Sequence, residues 1–285
     1  MLHSQRTLRC GVHELDLSRP IIMGILNVTP DSFSDGGRWF DAQRALDRAR
    51  QMIEEGASII DVGGESTRPG AQPVAESEEL RRVVPLVETL AAELAAPISV
   101  DTSKPAVMTA AAAAGAGMIN DVYALRQPGA LAAVAATDLP VCLMHMQGQP
   151  RTMQQQPSYE NVVTEVAEFL SQRVAACEEA GIQRQRLLLD PGFGFGKTLA
   201  HNLQLLAGLQ HLTSLGLPLL AGISRKRMIG ELTGREVDQR VHGSVAAALI
   251  AARNGAAILR VHDVAATRDA LAIYNAVENP GQYSA

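Results

Sequence analysis

Short apolar runs alternate along the chain with longer segments in which apolar residues recur at helical spacing. Each run has the length of a strand buried on both faces, and polar or glycine-rich residues follow it. The predicted strands cover residues 21–26, 58–62, 98–100, 118–122, 141–144, 187–189, 217–223 and 258–261. The predicted helices cover residues 42–55, 77–95, 106–114, 129–136, 159–180, 199–212, 239–254 and 264–276.

This alternation predicts an α/β fold in which eight parallel strands close into a (β/α)₈ TIM barrel. A doubly wound open sheet is the alternative, but it usually has fewer strands and a dinucleotide-binding fingerprint, which this sequence lacks. Residues 7–17, with a turn near Cys10 and Gly11, predict a short N-terminal β-hairpin that covers the lower end of the barrel. No linker or break in composition indicates a second domain, so residues 1–285 are expected to form a single domain.

Composition determines the kind of core and narrows the possible partners. Hydrophobic residues make up 47% of the chain and aromatic residues only 4%, so the core is expected to be aliphatic, as in a parallel barrel. The formal net charge of −5 gives no support for nucleic acid or an anionic membrane as a partner. An anionic substrate would consequently need a local cluster of basic residues.

The cysteines and the N-terminal sequence predict a cytoplasmic protein. Cys10, Cys142 and Cys177 are widely spaced and form no C-x-x-C or Cys/His pattern, which argues against a disulfide framework and a structural zinc site. The N-terminal sequence MLHSQRTLRC contains no apolar signal-peptide core. No apolar run reaches the ~20 residues that a membrane-spanning helix requires.

Polar side chains stand at or just after the C-terminal ends of the predicted strands, which is where active sites lie in this fold. They are Asn27, Asp61, Asp101, Asn120, Asp121, His145, Asp190, Ser224, Arg225, Lys226, Arg260 and His262. Taken singly, several have ordinary explanations, because Asp101 can cap a helix, Asn120 and Asp121 suit a turn, and a lone histidine is often structural. Independent caps and turns would not gather acids, amides and cations around one barrel mouth, so we interpret the set as an active site.

The basic residues of this set predict the class of ligand. Those expected to face the mouth are Arg68, Arg225, Lys226, Arg260 and His262. Residues 224–226 run directly into a helix-like turn, so backbone N–H groups and the helix dipole would add to the fixed cations. Phosphate sites after the seventh and eighth strands recur in this fold. A small molecule that carries phosphate or carboxylate is therefore the expected ligand.

Two glycine-containing loops near the predicted mouth are expected to close over the ligand. Residues 29–37 follow the first strand, and residues 63–70 follow the second. Asp35, Thr67 and Arg68 could cover a bound molecule and exclude water, although ordinary loop chemistry is the simpler explanation for each.

Two common site types are disfavoured. Residues 192–198, GFGFGKT, resemble a nucleotide-binding P-loop, but that motif requires glycine where Pro191 stands. A zinc hydrolase barrel is also disfavoured, because the first strand ends at Asn27 without paired histidines. A Mg²⁺ ion held by Asn27 and by phosphate oxygens fits better, since magnesium prefers oxygen ligands and few protein contacts.

The sequence resembles the dihydropteroate synthase family, which joins a pterin diphosphate to 4-aminobenzoate. The resemblance is carried, in order over nearly the whole chain, by GILNVTPDSFSDGG (24–37), DVGGESTRPGA (61–71), SVDTSKP (99–105), INDV (119–122), LLLDPGFGFGK (187–197), GISRKRMIG (222–230) and LRVHDV (259–264). It implies a cytoplasmic TIM-barrel transferase of folate biosynthesis that uses Mg²⁺ and is usually a homodimer.

The resemblance also implies a role for each candidate residue. Asn27 would contact the Mg²⁺ ion; the diphosphate would be held by Thr67, Arg68, Arg260 and His262; and the pterin ring would be surrounded by Asp101, Asn120, Asp190 and Lys226. Ser224, Pro69 and the backbone near Arg227 would lie close to 4-aminobenzoate. The implied reaction is displacement at the exocyclic methylene of the pterin, with Asp35, Lys226 and Arg260 as catalytic residues.

Two alternatives to this function remain open from the sequence. A pterin-binding methyltransferase barrel would share the Asp and Asn positions but would need no diphosphate site, so the complete STRPG and SRK segments argue against it. A catalytically silent paralogue that only binds pterin is disfavoured by the intact set of polar residues. An assay of turnover would separate these possibilities.

Overall fold

The structure is a computed structural model that describes residues 7–27, 38–65, 74–149 and 152–283, without the side chains of residues 38–41. Its strands are β1 (Thr7–Cys10), β2 (His13–Asp16), β3 (Ile21–Asn27), β4 (Ile59–Gly63), β5 (Ile98–Asp101), β6 (Met118–Asp121), β7 (Val141–Met144), β8 (Leu187–Asp190), β9 (Leu219–Ala221) and β10 (Ala256–Val261). Its α-helices are α1 (Arg38–Glu55), α2 (Glu76–Glu93), α3 (Pro105–Ala113), α4 (Ala130–Ala135), α5 (Val162–Glu179), α6 (Leu199–Ala207), α7 (Leu209–Leu212), α8 (Arg227–Thr233), α9 (Val241–Arg253) and α10 (Val264–Glu278).

Strands β3 to β10 form a closed barrel in which the order is β10-β3-β4-β5-β6-β7-β8-β9. Every pair in the ring is parallel, and β10 closes it against β3 with Arg260 opposite Met23. A closed ring has no unpaired edge, whereas an open sheet has two. The predicted (β/α)₈ TIM barrel is therefore confirmed, and the open-sheet alternative is wrong.

Side chains alternate along each strand between the outside and the inside of the barrel. Val62, Val100 and Leu189 belong to the large aliphatic cluster that the strands share with the surrounding helices. Their neighbours along the strands have the opposite direction and point into the barrel. These inward positions, towards the C-terminal ends of the strands, hold Asp61, Ser99, Asp101, Asn120, Asp190 and Arg260.

An apolar layer fills the barrel below these polar positions. It contains Met23, Ile59, Met118, Cys142, Leu188, Leu220 and Ile258. The antiparallel hairpin of β1 and β2 packs into the same cluster through Leu8, Cys10 and Leu17. The hairpin therefore covers the N-terminal end of the barrel, as the sequence predicted, and the polar layer faces the other end.

The structure differs from the predicted elements in the helices before and after β9, the seventh strand of the barrel. The helix predicted over residues 199–212 is divided, because α6 ends at Ala207 and α7 begins at Leu209. A Cβ atom on Gly208 would lie 2.8 Å from Cγ2 of Val163, so glycine allows α5 to pack closely at this point. The sequence also predicted only a helix-like turn after Lys226, where the structure has the short helix α8.

Candidate active site

Arg260 lies between two carboxylates inside the barrel. Its Nε donates to Asp61 Oδ2 at 2.6 Å, and its Nη2 donates to Asp101 Oδ2 at 2.9 Å. Asp61 is fully buried and Asp101 is 7% exposed, so water screens these ion pairs weakly. Closure of the barrel brings the three side chains together, because β10 pairs with β3 and β3 pairs with β4.

One cation shared by two buried acids makes the charge of Asp101 sensitive to pH. Burial raises the pKa of Asp101 to about 7, and the charge of Arg260 only partly opposes this rise. Burial favours a lower pKa for Arg260, but the charges of Asp61 and Asp101 outweigh that effect and raise its pKa above the ordinary value. Arg260 therefore stays charged, while Asp101 changes its charge near neutral pH.

Asn120 extends the polar layer beside Asp61. Its Nδ2 donates to Asp61 Oδ2 at 3.4 Å, a long hydrogen bond. Asp61 Oδ1 and Ser99 Oγ are also buried, and neither has a hydrogen-bond partner among the residues that the structure describes. Since Asp61 and Ser99 are opposite each other in the pairing of β4 with β5, this part of the barrel wall has unused hydrogen-bonding capacity.

Asp190 and Lys226 form the second charged group of the site. Burial raises the pKa of Asp190, while the charge of Lys226 and a 2.7 Å hydrogen bond from the backbone N of Gly192 oppose the rise. Burial lowers the pKa of Lys226 to about 8, and the charge of Asp190 opposes this fall. The two side chains therefore stabilise each other's charged forms.

The loop after β8 holds the ammonium group of Lys226. Lys226 Nζ donates to the backbone O of Phe193 and lies 4.5 Å from the ring centroid of Phe195. An ammonium group over an aromatic face is attracted by the ring's negative potential. These contacts fix the direction of the Lys226 side chain.

Ser224 and His262 face each other at the ends of β9 and β10. Ser224 Oγ lies 3.0 Å from His262 Nδ1, and the backbone N of His262 donates to Ser224 Oγ at 3.2 Å. Arg225, predicted to belong to the basic cluster at the mouth, donates through Nε and Nη2 to Asp263 at 3.0 and 2.5 Å. Its charge is therefore balanced within the protein.

A cavity of about 270 Å³ adjoins this pair. It is lined by Ile25, Leu26, Asn27, Arg48, Met52, Arg225 and His262. Asn27 is half-buried at the end of β3, where it pairs with Gly63 of β4. The cavity thus brings an amide, a histidine and two guanidinium groups to the same side of the barrel mouth. Both guanidinium groups are paired within the protein, Arg225 with Asp263 and Arg48 with Glu55 at 3.0 Å, so Asn27 and His262 are the lining groups best placed to meet a ligand.

The predicted loop residues Asp35, Thr67 and Arg68 lie outside the described residues, as does Pro69. The described part of the second loop ends at Glu65, whose carboxylate accepts from Lys104 Nζ. Lys104 also donates to Glu79, which is 1% exposed. The start of the loop is therefore tied to α2 and to the segment before α3.

Three contributors to the site were missed or underrated in the sequence. Asp61 was recognised as a polar residue near a strand end but was given no role. Like Asp101 on the adjacent strand, it points into the barrel, and it lies two residues before the end of β4. Arg48 lies in a helix and gave no signal. Lys197 was part of a family motif and of an apparent P-loop but was given no role, yet it is 3% exposed beneath the loop that holds Lys226.

Comparison with known proteins agrees with this geometry. Residues 23–262 match the family model of pterin binding enzymes. A dihydropteroate synthase of Haemophilus influenzae is 56% identical over 265 residues, which cover 93% of this chain and 96% of that protein. The chain belongs to the dihydropteroate synthase family.

Solved structures in this family have the same fold. A Xanthomonas albilineans dihydropteroate synthase with 4-aminobenzoic acid matches with a TM-score of 0.91 and 59% identity, over 96% of this chain and 99% of that chain. A structure of the Xanthomonas albilineans enzyme in complex with 7,8-dihydropteroate matches with a TM-score of 0.88 and 57% identity, over 95% and 98% of the two chains. The family assignment makes this chain a transferase of folate biosynthesis rather than a pterin-binding methyltransferase.

Proposed function

We propose that the chain condenses 6-hydroxymethyl-7,8-dihydropterin diphosphate with 4-aminobenzoate to give 7,8-dihydropteroate and diphosphate. The observation that carries this proposal is the arrangement of Arg260, Asp61 and Asp101 beside Asp190 and Lys226 within one barrel mouth. Relatives whose structures contain 4-aminobenzoic acid and 7,8-dihydropteroate support the choice of substrates.

The pterin ring is assigned to the polar layer inside the barrel. A pterin has a flat edge of N–H donors and nitrogen and oxygen acceptors, which two carboxylates and an amide can pair with. Asp101, Asn120 and Asp190 supply these groups, and Lys226 supplies a donor. Burial makes recognition strict, because a ligand without matching groups would leave these polar atoms unpaired.

The diphosphate is assigned to the cavity next to His262. His262, Arg260 and the loop residues Thr67 and Arg68 would hold it and stabilise the charge that grows as it leaves. Only part of Arg260 serves this purpose, since its Nε and Nη2 are bonded to Asp61 and Asp101.

The amine of 4-aminobenzoate would then attack the exocyclic methylene of the pterin from the side of Ser224 and Lys226. Positive charge that develops on the pterin would be stabilised by Asp101 and Asp190, and Asp35 of the first loop is proposed as a further catalytic residue. No covalent enzyme intermediate is needed, because the leaving group departs directly from the methylene carbon.

The donor set fits a Mg²⁺ ion that binds together with the substrate. Asn27 offers an amide oxygen, and among the described residues no group of three or more His, Cys, Asp or Glu side chains could hold a metal ion alone. Magnesium often takes most of its ligands from phosphate oxygens and water. A Mg²⁺ ion at Asn27 would neutralise part of the diphosphate charge.

The enzyme is further proposed to be a single-domain cytoplasmic homodimer. Cys10, Cys142 and Cys177 are buried and unpaired, which suits a reducing compartment. Among the described residues, no helix has the length and apolar character that a membrane crossing requires. Ile273 and Val277 on α10 are each 69% exposed, and they offer apolar surface for a second copy.

Sedimentation velocity tests the dimer. Ile273→Asp should convert a dimer to monomers, whereas Val12→Asp, at a position 95% exposed on the hairpin, should leave the dimer intact. A monomeric wild type, or a dimer unaffected by Ile273→Asp, would rule out this surface.

Release of diphosphate and formation of dihydropteroate from the two substrates with Mg²⁺ test the proposed reaction. Lys226→Ala and Arg260→Ala should each lower kcat/KM by on the order of 100-fold or more, because each removes a charged group that contacts substrate. Arg184→Ala, which removes an exposed arginine before β8, serves as the control. Wild-type protein that makes no dihydropteroate would overturn the proposal.

A further inference from the structure

The loop that follows β8 presents its carbonyl groups to positively charged and polar side chains. The backbone O of Phe193 accepts from Lys226 Nζ, that of Gly194 accepts from Gln154 Nε2, and that of Gly196 accepts from Tyr159 OH at 2.8 Å. The two remaining carbonyls, of Gly192 and Phe195, accept from Lys197. Every carbonyl from position 192 to 196 therefore has a defined partner.

Lys197 makes its contacts from a fully enclosed position. Its Nζ lies 2.9 Å from Gly192 O, 3.1 Å from Phe195 O and 2.8 Å from His145 Nδ1. Burial lowers the pKa of Lys197 well below its ordinary value, and the charge of Asp190 opposes this fall. In its ammonium form Lys197 has three N–H donors, one for each of these three neighbours when the proton of the His145 ring is on Nε2. Burial lowers the pKa of His145 to about 2, which keeps its ring neutral and able to accept.

The glycines of this loop are required by the same arrangement. Gly192, Gly194 and Gly196 all have positive φ, at 68°, 78° and 61°. A Cβ atom on Gly192 would lie 1.8 Å from the backbone O of His145, and one on Gly194 would lie 3.1 Å from Lys226 Cδ. The backbone of the loop therefore passes directly against the strand end below it and against the Lys226 side chain above it.

We propose that Lys197 is a positioning residue for Lys226. Lys197 holds Gly192 O and Phe195 O from below. It thereby fixes the two groups of the same loop that Lys226 contacts, the carbonyl of Phe193 and the ring of Phe195. This geometry is the reverse of a P-loop, in which backbone N–H groups turn inward to bind phosphate. In this loop carbonyl oxygens turn inward and bind ammonium groups.

The chemistry of the loop explains why an uncharged side chain would not replace Lys197. Of the two carbonyls that Lys197 holds, that of Gly192 is buried and that of Phe195 is partly buried. A buried carbonyl without a donor is costly, so the backbone would rearrange to reach another partner. Such a rearrangement would displace Phe193 O and the Phe195 ring together. Lys226 would then lose its direction towards the substrate while keeping its charge.

A double-mutant cycle tests this proposal, which rests on the proposed function for its kinetic readout. Lys197→Met should lower kcat/KM by on the order of 10- to 100-fold, because a shift of about 1 Å in a catalytic group has such an effect. Lys226→Met should lower it at least as much. If Lys197 acts through Lys226, adding Lys197→Met to Lys226→Met should cost less than about twofold more.

Arg186→Met provides the matched control at the opposite end of the same strand. Arg186 precedes β8 and donates to the backbone O of Val134 and of Leu139, so its loss also removes donors from buried carbonyls. It should leave kcat/KM within about twofold of the wild type and combine additively with Lys226→Met. Equal kinetic effects of Arg186→Met and Lys197→Met would indicate general destabilisation and overturn the proposal.

Crystal structures of the wild type and of Lys197→Met give a readout that does not depend on turnover. Lys226 Nζ should leave Phe193 O in the variant, and its retention there would overturn the proposal. If Lys197→Met does not fold, Tyr159→Phe, which removes only the donor to Gly196 O, is carried through the same cycle. An effect that adds to that of Lys226→Met would show that the loop does not act through Lys226, and would overturn the proposal. Wild type without dihydropteroate synthesis would refute the proposed function instead, and the crystal structures would still decide the role of Lys197.

Discussion

Arg260 contacts two buried carboxylates, so it affects both the structure and the charge of the site. It carries the only guanidinium group that the described residues place against both Asp61 and Asp101. Burial raises the pKa of Asp101 to about 7, the positive charge of Arg260 only partly opposes this rise, and the nearby charge of Asp61 adds to it. The acid that is assigned to the pterin is therefore held at a cost in folding stability.

This cost predicts that Asp101→Asn makes the protein more stable and less active. The pKa of Asp101 rises from 3.8 to about 7 on folding, which corresponds to on the order of 4 kcal/mol when the group is charged. The variant should unfold at a temperature several degrees higher than the wild type at pH 8, with much lower kcat/KM. Because the folded pKa is raised, this advantage is largest above about pH 7 and should shrink as the pH falls towards 4. Thermal unfolding at several pH values measures the difference, and a less stable variant at pH 8 would contradict the argument.

The lowered pKa of Lys226 predicts the pH above which activity falls. Burial lowers its pKa to about 8, so its charge is lost as the pH rises through that value, and kcat/KM should fall with it. In Lys226→Arg the guanidinium group stays charged, and the alkaline fall should disappear even if the overall rate is lower. The acid limb, assigned to Asp101, should remain and serves as the internal control. A pH profile of the variant with the same alkaline fall would assign that limb to another group.

At this scale the sequence predicted which residues meet but not how they pair. Asp101, Asn120, Asp190, Lys226 and Arg260 were recognisable because strand ends share one face of a parallel barrel. The partner of each charge depends on register and side-chain reach, which no sequence pattern states. Arg260 is an example: its diphosphate role stays a prediction, and the sequence did not indicate that its Nε and Nη2 are bonded to Asp61 and Asp101.

The elements of the barrel were predictable where hydrophobic periodicity is strong. Each strand of the barrel overlaps its predicted range, because fully buried strands read as continuous apolar runs. The break at Gly208 was not predictable, since it arises from contact with Val163 of another helix. The loop at residues 192–196 is a similar case, because its glycines suggested a nucleotide motif while its carbonyl pattern exists only in three dimensions.

The close approach of this loop to the barrel predicts an unequal effect of two glycine substitutions. Gly181 and Gly192 both have positive φ, so Ala at either position should lose about 1 kcal/mol of stability from backbone strain. At Gly181 the described residues place no atom within 4 Å of the added Cβ, apart from the glycine's own neighbours in the chain, whereas at Gly192 the carbonyl of His145 lies 1.8 Å away. Gly192→Ala should therefore cost on the order of 3 kcal/mol or more by urea denaturation, or prevent folding. Equal losses in the two variants would show that the loop can move away.

The molecule as a whole is a closed ring with an apolar lower half and a polar upper half. The two halves share the same strands, so neither can unfold without breaking the hydrogen bonds of the other. This continuity is the physical reason for expecting one cooperative domain over the described residues, an expectation that composition alone suggested.

Calorimetry of Leu8→Ala tests whether the two ends of the barrel unfold together. Leu8 is 1% exposed in the lower cluster, and its truncation should cost about 2–5 kcal/mol. The whole transition should move to lower temperature as a single peak, even though Leu8 lies at the end opposite the active site. Val12→Ala, at a site 95% exposed on the same hairpin, should change the stability by less than about 0.5 kcal/mol. A separate low-temperature shoulder in Leu8→Ala would mean that the hairpin unfolds by itself.

The hairpin and the apolar layer above it also determine the end of the barrel at which ligands are expected to bind. Leu8, Cys10 and Leu17 pack into the lower opening, so among the described residues apolar side chains fill the axis of the barrel at this end. We therefore expect both substrates to bind, and both products to leave, at the C-terminal ends of the strands. A product that dissociates slowly would then prevent the next substrates from binding. Product release is therefore expected to contribute to the turnover rate.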